Sequence, residues 1–222
     1  MRNHTLLRPI LVLGFSCVLG IATTEAGATS VTFQASLEYA GGTPPVGSAP
    51  WLTATFDDGN SSGLVTMTLV ATNLTGNEFV SVWDFNLDPN LEPTDLDFSV
   101  LARVGSFADP KISLGENQFK ADGDGHFDIL VGFVTSDGLP DRFSAGDSVS
   151  FTITGIQDLT ANSFNFMSAP DGAGTGLYPT AAHVQATGGG GDSTSGWVSV
   201  PEPVSLSLLG MGGLVAMLRR RR

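Results

Sequence analysis

One cysteine, Cys17, occurs in 222 residues. It lies inside the apolar N-terminal stretch, and Gly14-Phe15-Ser16 ahead of it is a poor match to the box that precedes a lipidated cysteine. The rest of the chain therefore has no disulfide framework, no thiol nucleophile and no cysteine metal centre. Basic residues are scarce as well, with 10 Lys and Arg against 22 Asp and Glu. Six of the ten, Arg2, Arg8, Arg219, Arg220, Arg221 and Arg222, sit at the two ends. Over residues 29–200 only Arg103, Lys111, Lys120 and Arg142 remain, four against 20 acids, for a net charge of −16. Such a surface repels phosphate backbones and anionic lipid, which argues against nucleic-acid binding, and it attracts divalent cations or cationic polymers. Enzyme signals are missing too. Outside the N-terminal stretch the histidines are His126 and His183, no Gly-x-Ser-x-Gly elbow precedes a helix, and no His-Glu-x-x-His pair or phosphate loop occurs.

What is present is organised from the two ends. Met1 to Ala28 reads as a secretory signal peptide, with Arg2 and Arg8 ahead of an uncharged stretch from Pro9 to Ala22. The small residues Ala26-Gly27-Ala28 suit signal peptidase, so the mature chain is expected to start at Thr29. At the other end, Pro201-Glu202-Pro203 is a stiff, extended spacer, because each proline fixes its own φ and restricts its predecessor. Val204 to Leu218 follows without a charge, and Arg219, Arg220, Arg221 and Arg222 close the chain as a positive-inside stop. At 15 residues the apolar segment is short against the ~20 that a spanning helix usually needs, which suits a transient anchor.

This tail resembles the PEP-CTERM sorting signal of Gram-negative bacteria. The resemblance rests on Pro201-Glu202-Pro203, the Leu/Gly-rich run Leu206 to Leu214, and the four terminal arginines. It implies that a membrane-embedded exosortase recognises the tripeptide, cuts near it and passes the protein to the cell surface or extracellular matrix. Trp83 to Leu87, Asp122 to Ile129, Ser144 to Phe151 and Ala181 to Gln185 likewise resemble domains found ahead of such tails.

Between the signals the pattern is that of strands. Ser30 to Tyr39 alternates Val31, Phe33, Ala35, Leu37 and Tyr39 with polar neighbours. Trp51 to Phe56, Gly63 to Asn73, Glu78 to Leu87, Leu96 to Val104, Gln118 to Ala121, His126 to Val134, Ser148 to Ile156, Ser163 to Met167 and Thr180 to Ala186 read as further strands. Gly63 to Asn73 is apolar on both faces, as a strand central to a sandwich would be. Leu91 to Gly115 is less regular. The expected architecture is all-β: an antiparallel β-sandwich, jelly-roll-like, over 29–186. The signal peptide 1–28 precedes it. A Gly/Ser-rich linker 187–199 and the sorting signal 200–222 follow, with a single transmembrane segment at 204–218 and the arginine cluster at 219–222.

The one candidate site is Asp122-Gly123-Asp124-Gly125-His126-Phe127-Asp128. Calcium loops place carboxylates two apart so that alternate side chains converge on one cavity, which nominates Asp122, Asp124 and Asp128. Lys120 stands where a first acidic ligand belongs, and the same residues also read as a hairpin turn with solvent-facing acids. Pairs such as Asp95 with Asp97, or Asp137 with Asp141, occur as expected by chance among so many acids. His183 is expected in a structural hydrogen bond. Trp51, Trp83 and Trp197 could stack on a sugar, with Trp51 and Trp83 expected in the core instead and Trp197 in the tail. The expected role is that of a non-enzymatic, secreted matrix protein, structural or adhesive within exopolysaccharide. The alternative is a carbohydrate-binding module, stabilised by calcium.

Overall fold

The computed structural model of the chain describes residues 29–122, 125–136, 140–170, 177–189 and 194–201. Several expectations fall outside these residues. They are the signal peptide 1–28, Glu202 and Pro203 of the sorting motif, the apolar segment 204–218, and the membrane stop Arg219, Arg220, Arg221 and Arg222. No described helix is long and apolar enough to cross a membrane. Among the described residues the chain is all-β, with only short 3-10 turns between its strands.

Two antiparallel sheets face each other in a sandwich-like arrangement, and neither closes into a barrel. In chain order the strands are β1 (Ser30–Ala35), β2 (Leu37–Glu38), β3 (Leu52–Asp57), β4 (Val65–Val70), β5 (Phe79–Phe85) and β6 (Asp97–Val104). They continue with β7 (Lys111–Lys120), β8 (His126–Gly132), β9 (Phe143–Ser144), β10 (Ser148–Thr154), β11 (Thr180–Gln185) and β12 (Ser195–Ser199). The first sheet runs β1-β3-β4-β10-β6. The second runs β2-β12-β11-β5-β8-β7, and β9 also pairs with β5.

Alternation decides which side chains enter the core. Leu52, Ala54 and Phe56 of β3, Val65, Met67 and Leu69 of β4, and Val149, Phe151 and Ile153 of β10 are all buried. They meet Val80, Trp83 and Phe85 of β5, Ile129 and Val131 of β8, and Ala182 and Val184 of β11. Phe56 lies at the centre of the contact. Its ring stacks on Phe164 at 4.4 Å and meets the edge of Phe85 at 5.4 Å.

The strand expected to be apolar on both faces is only half so. In β4, Thr66, Thr68 and Val70 are half-buried on the outer face, and Leu64 is exposed just before the strand. The strand with two buried faces is β5, where only Val82 is not fully buried. The run Ser30 to Tyr39 is split rather than continuous. At Ser36 the chain leaves the first sheet for the second, and the Ser36 N–H donates to the Ser199 carbonyl at 2.9 Å. Leu37 continues the alternation but is exposed, because beyond Ser36 its side chain belongs to a different sheet edge. The irregular region contains a ten-residue strand, β7, whose pairing with β8 slips between Leu114 and Phe119. That β-bulge breaks the periodicity on which a strand reading depends. The stretch 187–199, expected as a linker, ends in β12, which inserts between β2 and β11. The sheet thus reaches Ser199, and Val200 packs on the core directly before Pro201.

One buried polar link ties β11 to its neighbour β5 within the second sheet. The Trp83 Nε1–H donates to Thr180 Oγ1 at 2.9 Å, and that hydroxyl donates to the Asp84 carbonyl at 2.7 Å. Thr180 is fully buried. Thr180→Val keeps the shape and orphans the indole N–H and the carbonyl. It should cost about 1–3 kcal/mol of stability by urea unfolding, and an unchanged midpoint would contradict the role assigned to this hydroxyl.

Candidate functional site

The motif Asp122 to Asp128 spans the β7–β8 turn. Phe119 pairs with Phe127 and Lys120 with His126, as the hairpin reading requires. Asp122 is exposed at the turn with a positive φ of 48°, and Asp124 lies outside the described residues. Asp128 is buried within β8. Its Oδ1 accepts the Asn117 N–H at 2.8 Å, and its Oδ2 accepts the Leu87 N–H at 2.9 Å. One carboxylate therefore ties the β7 bulge to the exit of β5. Asn117 takes a left-handed φ of 49°, which asparagine tolerates better than most residues. Among the described residues no three His, Cys, Asp or Glu side chains are grouped to hold a metal ion. Beside Asp128 opens a pocket of about 160 Å³, between the β5 exit, the bulge and the 166–169 loop.

A second constellation lies on the outer face of the second sheet. His183 pairs with Val82 on one side and with Trp197 on the other. The imidazole stacks on the Trp197 ring at 4.9 Å, and the Ser81 Oγ lies 2.8 Å from its Nδ1. Ser81 is buried, so the pair orients the ring rather than presenting a nucleophile. The expected structural role of His183 is the one it plays here, and Trp197 joins it as a half-buried strand residue, not as part of a tail. Burial pushes the imidazole down from its ordinary value, and the negative charge of Asp122 pushes it back up.

On the same face Asp84 pairs with Ala181 and Leu130. A small apolar cluster of Ala121, Phe127, Tyr178 and Ala181, packed against Tyr39, Phe119 and Trp197, lies beside it on this sheet. Tyr39 and Tyr178 stack at 4.2 Å. Asp84 is 1% exposed, and neither carboxyl oxygen has a hydrogen-bond partner among the described residues. Burial without compensation pushes this carboxyl well above its ordinary value of 3.8. The sequence contains the aspartate but not its burial, which follows from the cover placed over β5.

The other nominated residues do not converge. Trp51 and Trp83 are core, so three tryptophans form no platform. Asp95 and Asp97 are exposed at a 3-10 turn and at the start of β6. Asp141 is exposed, and Asp137 lies outside the described residues. Of the sorting motif only Pro201 is described, directly after Val200, while Glu202, Pro203 and the stop residues Arg219, Arg220, Arg221 and Arg222 are not among the described residues. An arrangement invisible in the sequence is the outer face of the first sheet. Register places Thr32 beside Thr55, Thr55 beside Thr68, and Thr68 beside Ser150, a row of hydroxyls across four strands. A parallel row runs Ser30, Asp57, Thr66, Thr152 and Ser99. Only the strand pairing, not any one strand, reveals these rows. A groove of about 630 Å³ lies against them, lined by Thr55, Asp57, Thr66 and Thr68 among others.

No family model, no curated protein and no solved structure matches the chain.

Asp84 gives a pH test with a definite sign. Its folded value is raised, so the folded state holds a proton that the unfolded chain releases near 3.8. That contribution is complete below 3.8 and is lost as pH rises towards the raised folded value. Asp84→Asn cannot ionise, so its melting temperature relative to the parent should climb across that window and stay higher at neutral pH. Parallel melting curves from acid to neutral pH would contradict a buried, uncompensated carboxyl.

Proposed function

We propose that this is a non-enzymatic exported protein of the cell surface or extracellular matrix of a Gram-negative bacterium, adhering to exopolysaccharide through the outer face of its first sheet. Signal peptidase removes 1–28. The segment 204–218 and the cluster Arg219, Arg220, Arg221 and Arg222 hold the chain in the inner membrane. An exosortase-type protease then acts at Pro201-Glu202-Pro203, as the PEP-CTERM resemblance implies. The strongly acidic 29–200 region supports life in an aqueous extracellular medium and argues against anionic partners.

The observation that carries the adhesive part is the row Thr32, Thr55, Thr68 and Ser150. Strands spaced ~4.8 Å apart set these hydroxyls in a line roughly 14 Å long. Thr68 and Ser150 already share a hydrogen bond at 2.9 Å, so the row is partly ordered before any ligand arrives. None of the four basic residues of 29–200 belongs to this face. Lys111 and Lys120 lie on β7, Arg142 covers the Phe79 ring, and Arg103 pairs in register with inward-facing Val149. A field of hydroxyls, with the carboxylate of Asp57 and without cations, suits an uncharged polyhydroxylated polymer. A specific sugar-binding module would instead use the half-buried Trp197, stacked on His183.

Retention of the exported protein on an insoluble neutral glucan separates the two. Thr55→Val with Thr68→Val should weaken retention several-fold while leaving the fold intact, and Trp197→Ala should change it little. The opposite pattern assigns binding to Trp197, and no retention of the parent protein removes the adhesive role.

A further inference from the structure

We propose that the pocket beside Asp128 is a binding site for one primary ammonium group carried on a short alkyl stem. It is independent of the hydroxyl face, which belongs to the other sheet. The residues that line the pocket include the apolar Leu87, Leu91, Pro93 and Met167 and the acidic Asp88, Glu116 and Asp128. At about 160 Å³ it has room for a slender side chain and none for a polymer. It exists because the β7 bulge turns Glu116 and Asn117 away from regular pairing, and Asp128 pins that bulge in place.

The lining fixes the chemistry of the occupant. Among the described residues no basic side chain contributes to it, so an anion would meet carboxylates alone. A wholly apolar group would strip water from those carboxylates without replacing it. A calcium ion needs six to eight oxygens around it, and four of the walls are hydrocarbon. An ammonium on an alkyl stem meets both halves of the lining, with its stem along Leu87, Leu91 and Met167 and its N–H donors shared between carboxylate oxygens and water at the open side. Acceptors remain for it. Each Asp128 oxygen takes one backbone N–H and keeps a second lone pair. Asp88 uses Oδ1 for the Asn90 backbone and side-chain N–H groups, which leaves Oδ2. Glu116 is exposed at the rim. Met167 is 44% exposed there, an apolar lip for the stem to cross.

The test is a titration of the exported protein, followed by NMR, with n-butylammonium, with the uncharged and slightly longer n-pentanol, with Nα-acetyl-lysine amide and with calcium. The expected result is saturable binding of butylammonium with shifts at Leu87, Asn117 and Met167, and none with pentanol. Glu116→Gln should weaken it by roughly two- to fivefold, the worth of one exposed ion pair. Asp88→Asn, which preserves the turn, should weaken it similarly. Equal or tighter binding of the lysine amide points to a polypeptide side chain as the natural source, and weaker binding to a free amine. Pentanol binding as well as butylammonium, Glu116→Gln with unaltered affinity, or calcium displacing the amine at the same residues would each overturn the proposal.

Discussion

The need to bury β5 on both faces governs this molecule. Phe79, Val80, Trp83 and Phe85 cannot be left in water. Val80, Trp83 and Phe85 join the core against the first sheet, where a register shift at Ser81 keeps Val80 and Trp83 on one side. Phe79 lies outside that core, under Arg142. The inner side is covered by the first sheet. The outer side needs a cover of its own, and the chain supplies aromatic groups from the start of the domain, from β7, from the 178 region and from β12. Arg142 adds its guanidinium 4.1 Å above the Phe79 ring. Segments far apart in sequence are thus recruited to a single strand. The two-residue β2, the switch at Ser36 and the insertion of β12 between β2 and β11 all serve that cover. Its cost is Asp84, which is sealed in with no partner for its carboxyl among the described residues.

Much of the architecture is legible from alternation alone. β3, β4, β5, β6, β8, β10 and β11 lie where the pattern places them, and Trp51 and Trp83 are core as expected. Ser163 to Met167, expected as a strand, forms none: it begins within a 3-10 turn over Ala161–Phe164. The other failures share a cause, which is that periodicity is a local signal. It cannot see a strand that changes sheets, so Ser30 to Tyr39 reads as one element. It loses a strand whose register slips, so β7 shrinks to its last residues. It cannot recognise Ser195–Ser199, where two apolar side chains follow a glycine-rich stretch. The candidate site is legible in type and not in role. Spacing nominates Asp128 together with Asp122 and Asp124, whereas its two oxygens hold backbone N–H groups of β5 and β7 segments that no spacing rule connects to it. His183 and Trp197 read as separate residues, and pairing across β11 and β12 brings them together.

The two outer faces differ in character as a result. That of the second sheet is roofed and partly dry, with its polar groups committed to His183, Ser81 and the buried Asp84. That of the first is open and hydroxylated, because β4 and β10 carry threonine and serine at nearly every position that does not carry a core residue. Threonine suits strands for steric reasons alone, and register then aligns the hydroxyls without further design. The proposed adhesion through this face would require no moving part and no catalytic group.

The placement of β12 bears on the proposed export. The folded sheet ends at Ser199, and a single residue separates it from Pro201. A protease acting at the tripeptide works at the margin of a formed sheet, so cleavage on the domain side of Pro201 would have to disturb β12, while cleavage on the far side would not. The most direct measurement is the intact mass of the protein recovered from the cell surface or medium, with its terminal peptides. The account predicts a chain that starts at Thr29, retains Ser195–Ser199 and lacks Arg219, Arg220, Arg221 and Arg222. A chain found in the membrane fraction with its arginine tail in place would contradict it, and would make the domain a tail-anchored one.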